Sequence, residues 1–89
     1  MSSLYLSRLS KDDRKQLEQQ LWSQQSGKCF ISEEPIDLAL EEVDIDHVIP
    51  TRDNGKDDPS NFALTLSHYN RSKLAADLRI ARVLDRFER

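Results

Sequence analysis

The sequence predicts a small α+β domain: an amphipathic helix, two short strands and a long C-terminal helix. Three observations carry that prediction. Leu17, Leu21 and Trp22 fall on one face at helical spacing between a capping serine and a glycine. Two short apolar runs, one around Val43, Ile45, Val48 and Ile49 and one over residues 61–66, bracket a polar loop that contains Asn54-Gly55. Leu74, Leu78, Ala81 and Leu84 then repeat along a stretch that nothing breaks.

The first helix is expected over residues 11–26. The Ser10 hydroxyl can accept a first-turn N–H, and Asp12 and Asp13 suit the positive end of the helix dipole. Gly27 is placed to end the helix in a left-handed conformation, and Trp22 reads as a core anchor. Residues 28–34 are rich in turn formers, and residues 35–42 hold a short strand or an irregular loop around Ile36, Leu38 and Leu40. Glu33, Glu34, Asp37, Glu41, Glu42 and Asp44 make this stretch acidic, which reads as a solvated surface. The first strand bends at Asp46-His47 and stops at Pro50. After the second strand, Ser67 is a candidate N-cap for a helix that runs to the end of the chain, widened by Ile80, Val83 and Phe87.

With 89 residues the chain has room for one domain and a modest core. Charged residues make up 33% and apolar ones 37%, so much of the chain is surface. No apolar run approaches a membrane span and the start lacks a signal-peptide pattern, so the cytoplasm is expected. Cys29 is the sole cysteine, which excludes an intrachain disulfide. Cys29, His47 and His68 are the only soft ligands, too few for a structural zinc site. Residues 1–70 carry seven basic and thirteen acidic side chains, a balance of −6, whereas residues 71–89 carry six basic and three acidic, a balance of +3. A basic last helix beside an acidic patch suits a phosphate-binding element next to a cation site, but charge alone favours the ordinary reading, a solvated helix face.

The chemistry concentrates in residues 43–73. Asp46 offers a hard anionic oxygen suited to Mg²⁺ or Mn²⁺, and His47 a neutral imidazole able to take a proton from water near pH 7. Asn61 suits a loop-fixing or ring-orienting role ahead of the second strand. Asn70 and Lys73 stand one turn apart, a neutral oxygen ligand and a point charge for phosphate, near a helix N-terminus. Taken singly, each has an ordinary structural explanation: a surface Asp, a half-buried His, an Asx turn, a polar helix start.

Taken together, D-H-V-I-P, N-F-A-L-T and H-Y-N-R-S-K closely resemble the ββα-metal motif of HNH endonucleases. The run 44–73 looks most like the HNH domain of RNA-guided CRISPR effector nucleases and is similar to the HNH modules of restriction enzymes and phage resolvases. The resemblance implies a ββα-metal (HNH, His-Me finger) core flanked by an N-terminal helix and a long C-terminal helix. Residues 1–89 would form a single nuclease domain: arm and helix in 1–27, motif in 43–73, helix continuation in 74–89. It implies His47 as general base, Asp46 and Asn70 as ligands of one Mg²⁺ or Mn²⁺, Asn61 as orienter of the imidazole or its loop, and Lys73 as phosphate contact. The cation would stabilise charge on the scissile phosphate and the leaving 3′ oxygen, giving a 3′-hydroxyl and a 5′-phosphate. His68 stands at a variable position and is a weaker candidate ligand.

The sequence departs from the family in two ways. K-C-F-I-S-E-E-P-I looks like a zinc knuckle whose second cysteine is replaced by Ser32, and Ser67, His68 and Tyr69 stand in place of a second cysteine pair, so no structural zinc is expected. The acidic stretch before the motif would repel DNA. The resemblance therefore implies a metal-dependent endonuclease that nicks DNA, with RNA not excluded as substrate. The alternative is a catalytically weak or inactive module on the same scaffold that binds nucleic acid or protein. The apolar face of the last helix leads us to expect a larger polypeptide, a partner subunit or a homodimer.

Overall fold

The computed structural model describes residues 3–88. Its elements, in order, are α1 (Leu4–Ser7), α2 (Lys11–Gln24), β1 (Val43–His47), β2 (Phe62–Leu66), α3 (Ser67–Ser72) and α4 (Leu78–Glu88). This is a small mixed fold built on one antiparallel strand pair, an α+β architecture of the ββα type. No described helix is long and apolar enough to cross a membrane.

The helix starts follow from local chemistry. Ser10 Oγ accepts the Asp13 N–H at 3.1 Å and opens α2, as expected. The helix stops where Gly27 takes φ +73° and its N–H returns to the Trp22 carbonyl at 2.8 Å. Trp22 corrects the expectation of a core anchor. It is 38% exposed, lies against Gly27 at the margin, and donates its indole N–H to the Ile36 carbonyl at 2.9 Å. The core positions of α2 are Leu17 and Leu21.

Residues of β1 and β2 pair from Val43 with Leu66 to His47 with Phe62. Every residue of β2 is buried, which explains its nearly continuous apolar sequence. With Leu64 fully buried at its centre, β2 packs with Leu17, Leu21, Ile31, Ile36, Ile45, Leu78 and Ala81. Its outer edge is closed without a third strand. The Gln25 amide accepts from Leu64 N at 2.7 Å and donates to Leu64 O at 2.9 Å. Phe30 N–H adds a bond to Leu64 O at 3.1 Å, and Leu66 N–H donates to Cys29 Sγ at 3.3 Å. A buried strand edge must find such partners. The knuckle-like turn that supplies them is itself closed by backbone bonds between Cys29 N–H and Glu34 O (2.8 Å) and between Glu33 N–H and Cys29 O (3.0 Å).

The single C-terminal helix expected from the sequence is two helices. The chain is extended at Lys73 (ψ 143°), and α4 starts afresh behind Asp77, whose carboxylate accepts the Arg79 N–H at 2.9 Å. The Leu78 N–H, freed from helical pairing, donates to Val48 O at 3.0 Å and sews α4 to the end of β1. Two further expectations change with it. Ser67 is the first residue of α3 rather than its cap, and its N–H donates to Glu42 O at 3.0 Å. Of the expected apolar face, Leu78 and Ala81 are buried, whereas Leu74, Ile80, Val83 and Phe87 are exposed.

Candidate functional site

The site forms where β1 ends. Asp44 and Asp46 are two residues apart on one strand and therefore share a face. Across from them, the short helix α3 carries Asn70, and Lys73 follows at its end. These side chains form a chain of contacts. Asn70 Nδ2 donates to Asp44 Oδ2 at 3.1 Å, which turns Asn70 Oδ1 toward Lys73 Nζ at 2.9 Å. The Lys73 ammonium also pairs with Asp46 Oδ2. The two oxygens expected to hold a metal thus already cradle one cation. Lys73 sits beyond the C-terminal end of α3, not at a helix N-terminus, and the partial negative charge there favours a cation.

His47, the last residue of β1, is held on three sides. Its N–H donates to Asp46 Oδ1 at 2.8 Å, its ring stands edge-on to Phe62 (5.3 Å, 69°), and Nε2 lies 2.9 Å from Asp57 Oδ1. Asp57 was not singled out by the sequence. It is brought back over His47 by the loop, whose turn depends on Gly55: a Cβ there would lie 1.8 Å from the Ile49 carbonyl oxygen. Asn54 supplies the left-handed residue of that turn (φ 67°). Asp57 also accepts hydrogen bonds from Ser3 Oγ and from the Tyr5 N–H (3.1 Å). The Ser3 hydroxyl first, and His47 second, hold its carboxyl down to about 2.

Asn61 is 8% exposed and turns its amide on the loop. Oδ1 accepts the Ile49 N–H at 3.0 Å, and Nδ2 donates to Ile49 O at 2.8 Å and Lys56 O at 2.9 Å. All of its side-chain hydrogen bonds thus go to the loop and none to the imidazole. His68 is exposed, its ring 4.2 Å from Tyr69, and it does not join the site.

Asp46 and His47 line two open clefts. One is bounded by Pro50, Thr51, Arg52, Lys73 and Ala76, the other by Ser3, Leu6, Ser7, Arg14 and Ile45. The arginines of the last helix are engaged in ion pairs. Arg79 pairs with Asp77, while Arg82 and Arg86 both pair with Glu33. Arg86 first, then Arg82, lowers the Glu33 carboxyl to about 2.

The model of HNH endonucleases matches residues 29–76, more than half of the chain. The chain belongs to the HNH endonuclease family. No curated protein matches it. The matched segment of this HNH protein contains β1, β2, α3 and the loop between the strands, and so all of Asp46, His47, Asn61, Asn70 and Lys73. Ser3 and Tyr5, which hold Asp57, lie outside it. Family membership indicates a nuclease-type function on nucleic acid, of a kind that generally uses a divalent metal. Among the described residues no group of three or more His, Cys, Asp and Glu side chains comes together to hold a metal ion. Asp46 Oδ2 and Asn70 Oδ1 offer a smaller set of hard oxygens. That suits Mg²⁺ or Mn²⁺, since Mg²⁺ keeps several of its waters and takes only one or two protein carboxylates.

Proposed function

We propose that this HNH protein is an Mg²⁺- or Mn²⁺-dependent endonuclease that hydrolyses DNA phosphodiester bonds, one strand per site, with residues 1–89 acting as one unit. The observation that carries the reading is the Lys73 ammonium seated between Asp46 Oδ2 and Asn70 Oδ1, beside His47. These two oxygens converge on one positive charge, and the side chain that occupies the position is the one a substrate phosphate would draw away.

In this reading His47 takes a proton from the attacking water. Asp46 and Asn70 hold the divalent cation, which when bound supplies charge stabilisation at the phosphate and the leaving oxygen. Lys73 neutralises a phosphate oxygen, and Asn61 keeps the loop after His47 in place. Asp44, through its bond to Asn70 Nδ2, presents the amide oxygen rather than the NH₂ group to the cation.

The test is conversion of supercoiled plasmid to open circle with Mg²⁺, with Mn²⁺ and with EDTA, beside His47→Ala. Metal-dependent nicking that falls about 10²- to 10⁴-fold in His47→Ala, with the melting curve unchanged, supports the reading. Absence of cleavage from a folded protein, on DNA and on RNA, overturns it.

One observation favours a second reading, a module that docks on a partner subunit, a larger polypeptide or a second copy. Ile80, Val83 and Phe87 of α4 are 52%, 49% and 84% exposed. Under that reading Phe87→Asp weakens association and Asp46→Ala does not.

A further inference from the structure

His47 has two ring nitrogens, and only one of them has a partner among the described residues. Nε2 lies 2.9 Å from Asp57 Oδ1. An ionised carboxylate can only accept a hydrogen bond, so the hydrogen between these atoms belongs to Nε2. The carboxylate is ionised throughout the working range, because the Ser3 hydroxyl and His47 hold it down to about 2. In the neutral ring the lone pair is then on Nδ1. A base needs one nitrogen free and the other committed, and the committed nitrogen is chosen by its hydrogen-bond partner.

The carboxylate is itself held from outside the family segment. Ser3 Oγ donates to Asp57 Oδ1, and the Tyr5 N–H donates to Oδ2 at 3.1 Å. Tyr5 also stands edge-on to Phe62 (5.7 Å), whose ring contacts His47. The N-terminal arm therefore reaches the imidazole by two routes, through Asp57 and through Phe62.

We propose that Asp57, clamped by Ser3 and Tyr5 of the N-terminal arm, is a positioning residue that fixes His47 in the Nε2–H tautomer and leaves Nδ1 as the basic nitrogen. This rests on His47 being the general base. Asp57→Asn is the informative variant. The Tyr5 N–H is a backbone donor that cannot reverse, so it claims the new amide oxygen. The NH₂ group then faces His47 and demands an acceptor at Nε2. The ring shifts to the Nδ1–H tautomer and the basic nitrogen is lost.

The experiment uses the full chain with ¹⁵N-labelled histidine at pH 8 without metal, together with plasmid nicking in Mg²⁺. The wild type should show a pyridine-like Nδ1 and a pyrrole-like Nε2 at His47. Asp57→Asn should exchange the two, and its nicking should fall about 10²-fold or more. Asp53→Asn, an equal change of charge on an exposed residue of the same loop, should change neither. The tautomer readout needs no turnover. A wild type with the stated tautomer and no nicking keeps the positioning role and overturns only the nuclease reading. A wild-type His47 in the Nδ1–H form overturns the proposal even if Asp57→Asn does not fold. So does an Asp57→Asn protein with wild-type tautomer and wild-type rate.

Discussion

The side chain of Asn61 pairs with both backbone groups of Ile49, accepting its N–H at 3.0 Å and donating to its carbonyl at 2.8 Å. The amide acts as a single rung of sheet just beyond the last pair of strands, and a third bond to Lys56 O reaches the far side of the loop. Asn61→Ala leaves these groups without partners. Loss of buried hydrogen bonds of this kind costs about 1–3 kcal/mol. We expect a matching drop in a urea melt, and a loss of nicking larger than the loss of folded protein, because the same loop carries Asp57 to His47.

Lys73 shares Asp46 and Asn70 with the proposed divalent cation, so the two positive charges compete. Lys73→Met should tighten Mn²⁺ binding several-fold, in line with about 1 kcal/mol for a partly buried ion pair that still reaches solvent. Cleavage should nevertheless fall, because the phosphate loses its contact. Mn²⁺ titration by electron paramagnetic resonance, set beside nicking rates, separates the two effects. Weaker Mn²⁺ binding in the variant would place the cation elsewhere.

Glu33 holds Arg86 and Arg82, and its carboxyl is lowered from 4.5 to about 2 in the folded protein. A depressed carboxyl contributes stability that is complete above the unfolded value and is lost as pH falls through the folded one. Glu33→Gln should therefore melt below the wild type at pH 7. The gap between the two should close as the pH is lowered from 4.5 toward 2. A gap independent of pH over that range would show that the pairs add nothing to stability.

The Ser67 hydroxyl is buried and has no hydrogen-bond partner among the described residues. Ser67→Ala removes an unsatisfied polar atom and places a better helix former at the start of α3. An unpaired buried group costs about 1–3 kcal/mol, so the variant should be more stable by roughly 1 kcal/mol. Thermal unfolding measures this directly, and a less stable variant would mean that the hydroxyl is hydrated.

The elements legible in the sequence are those whose partners lie nearby or whose pattern is periodic. Ser10 and Gly27 bound α2 as read, and the two apolar runs hold the strand pair, although the first strand ends at His47 and leaves Val48 and Ile49 outside it rather than running to Pro50. The cluster of Asp46, Asn70 and Lys73 follows from a strand end facing the end of a short helix. The break before α4 was hidden because Leu74, Ala75 and Ala76 are good helix formers. It is made by Asp77 as a cap and by the Leu78 N–H bonding to Val48, a tertiary contact with no local signature. Trp22 read as core because aromatic residues usually are, yet its indole N–H donates to the Ile36 carbonyl while the side chain stays 38% exposed. Asp57 was missed for a different reason. In a run of polar residues nothing marks one acid as facing inward, and its partner Ser3 lies fifty-four positions away.

The ion pairs of α4 bear on how the protein meets a polyanion. Counterions leave DNA only when phosphates are neutralised by unpaired cations, and each such contact steepens the fall of log K with log salt by about 0.9. Arg79 is paired with Asp77, and Arg82 and Arg86 share the one carboxylate of Glu33, so the three arginines keep a single net positive charge among them. Around the cleft stand Arg52 and Lys73, the latter paired with Asp46 until a phosphate draws it away, on a chain of net charge −3. The slope should then be near −2 and affinity for free duplex low, so that cleavage is governed by how long the strand is held against the cleft rather than by how strongly the surface attracts it.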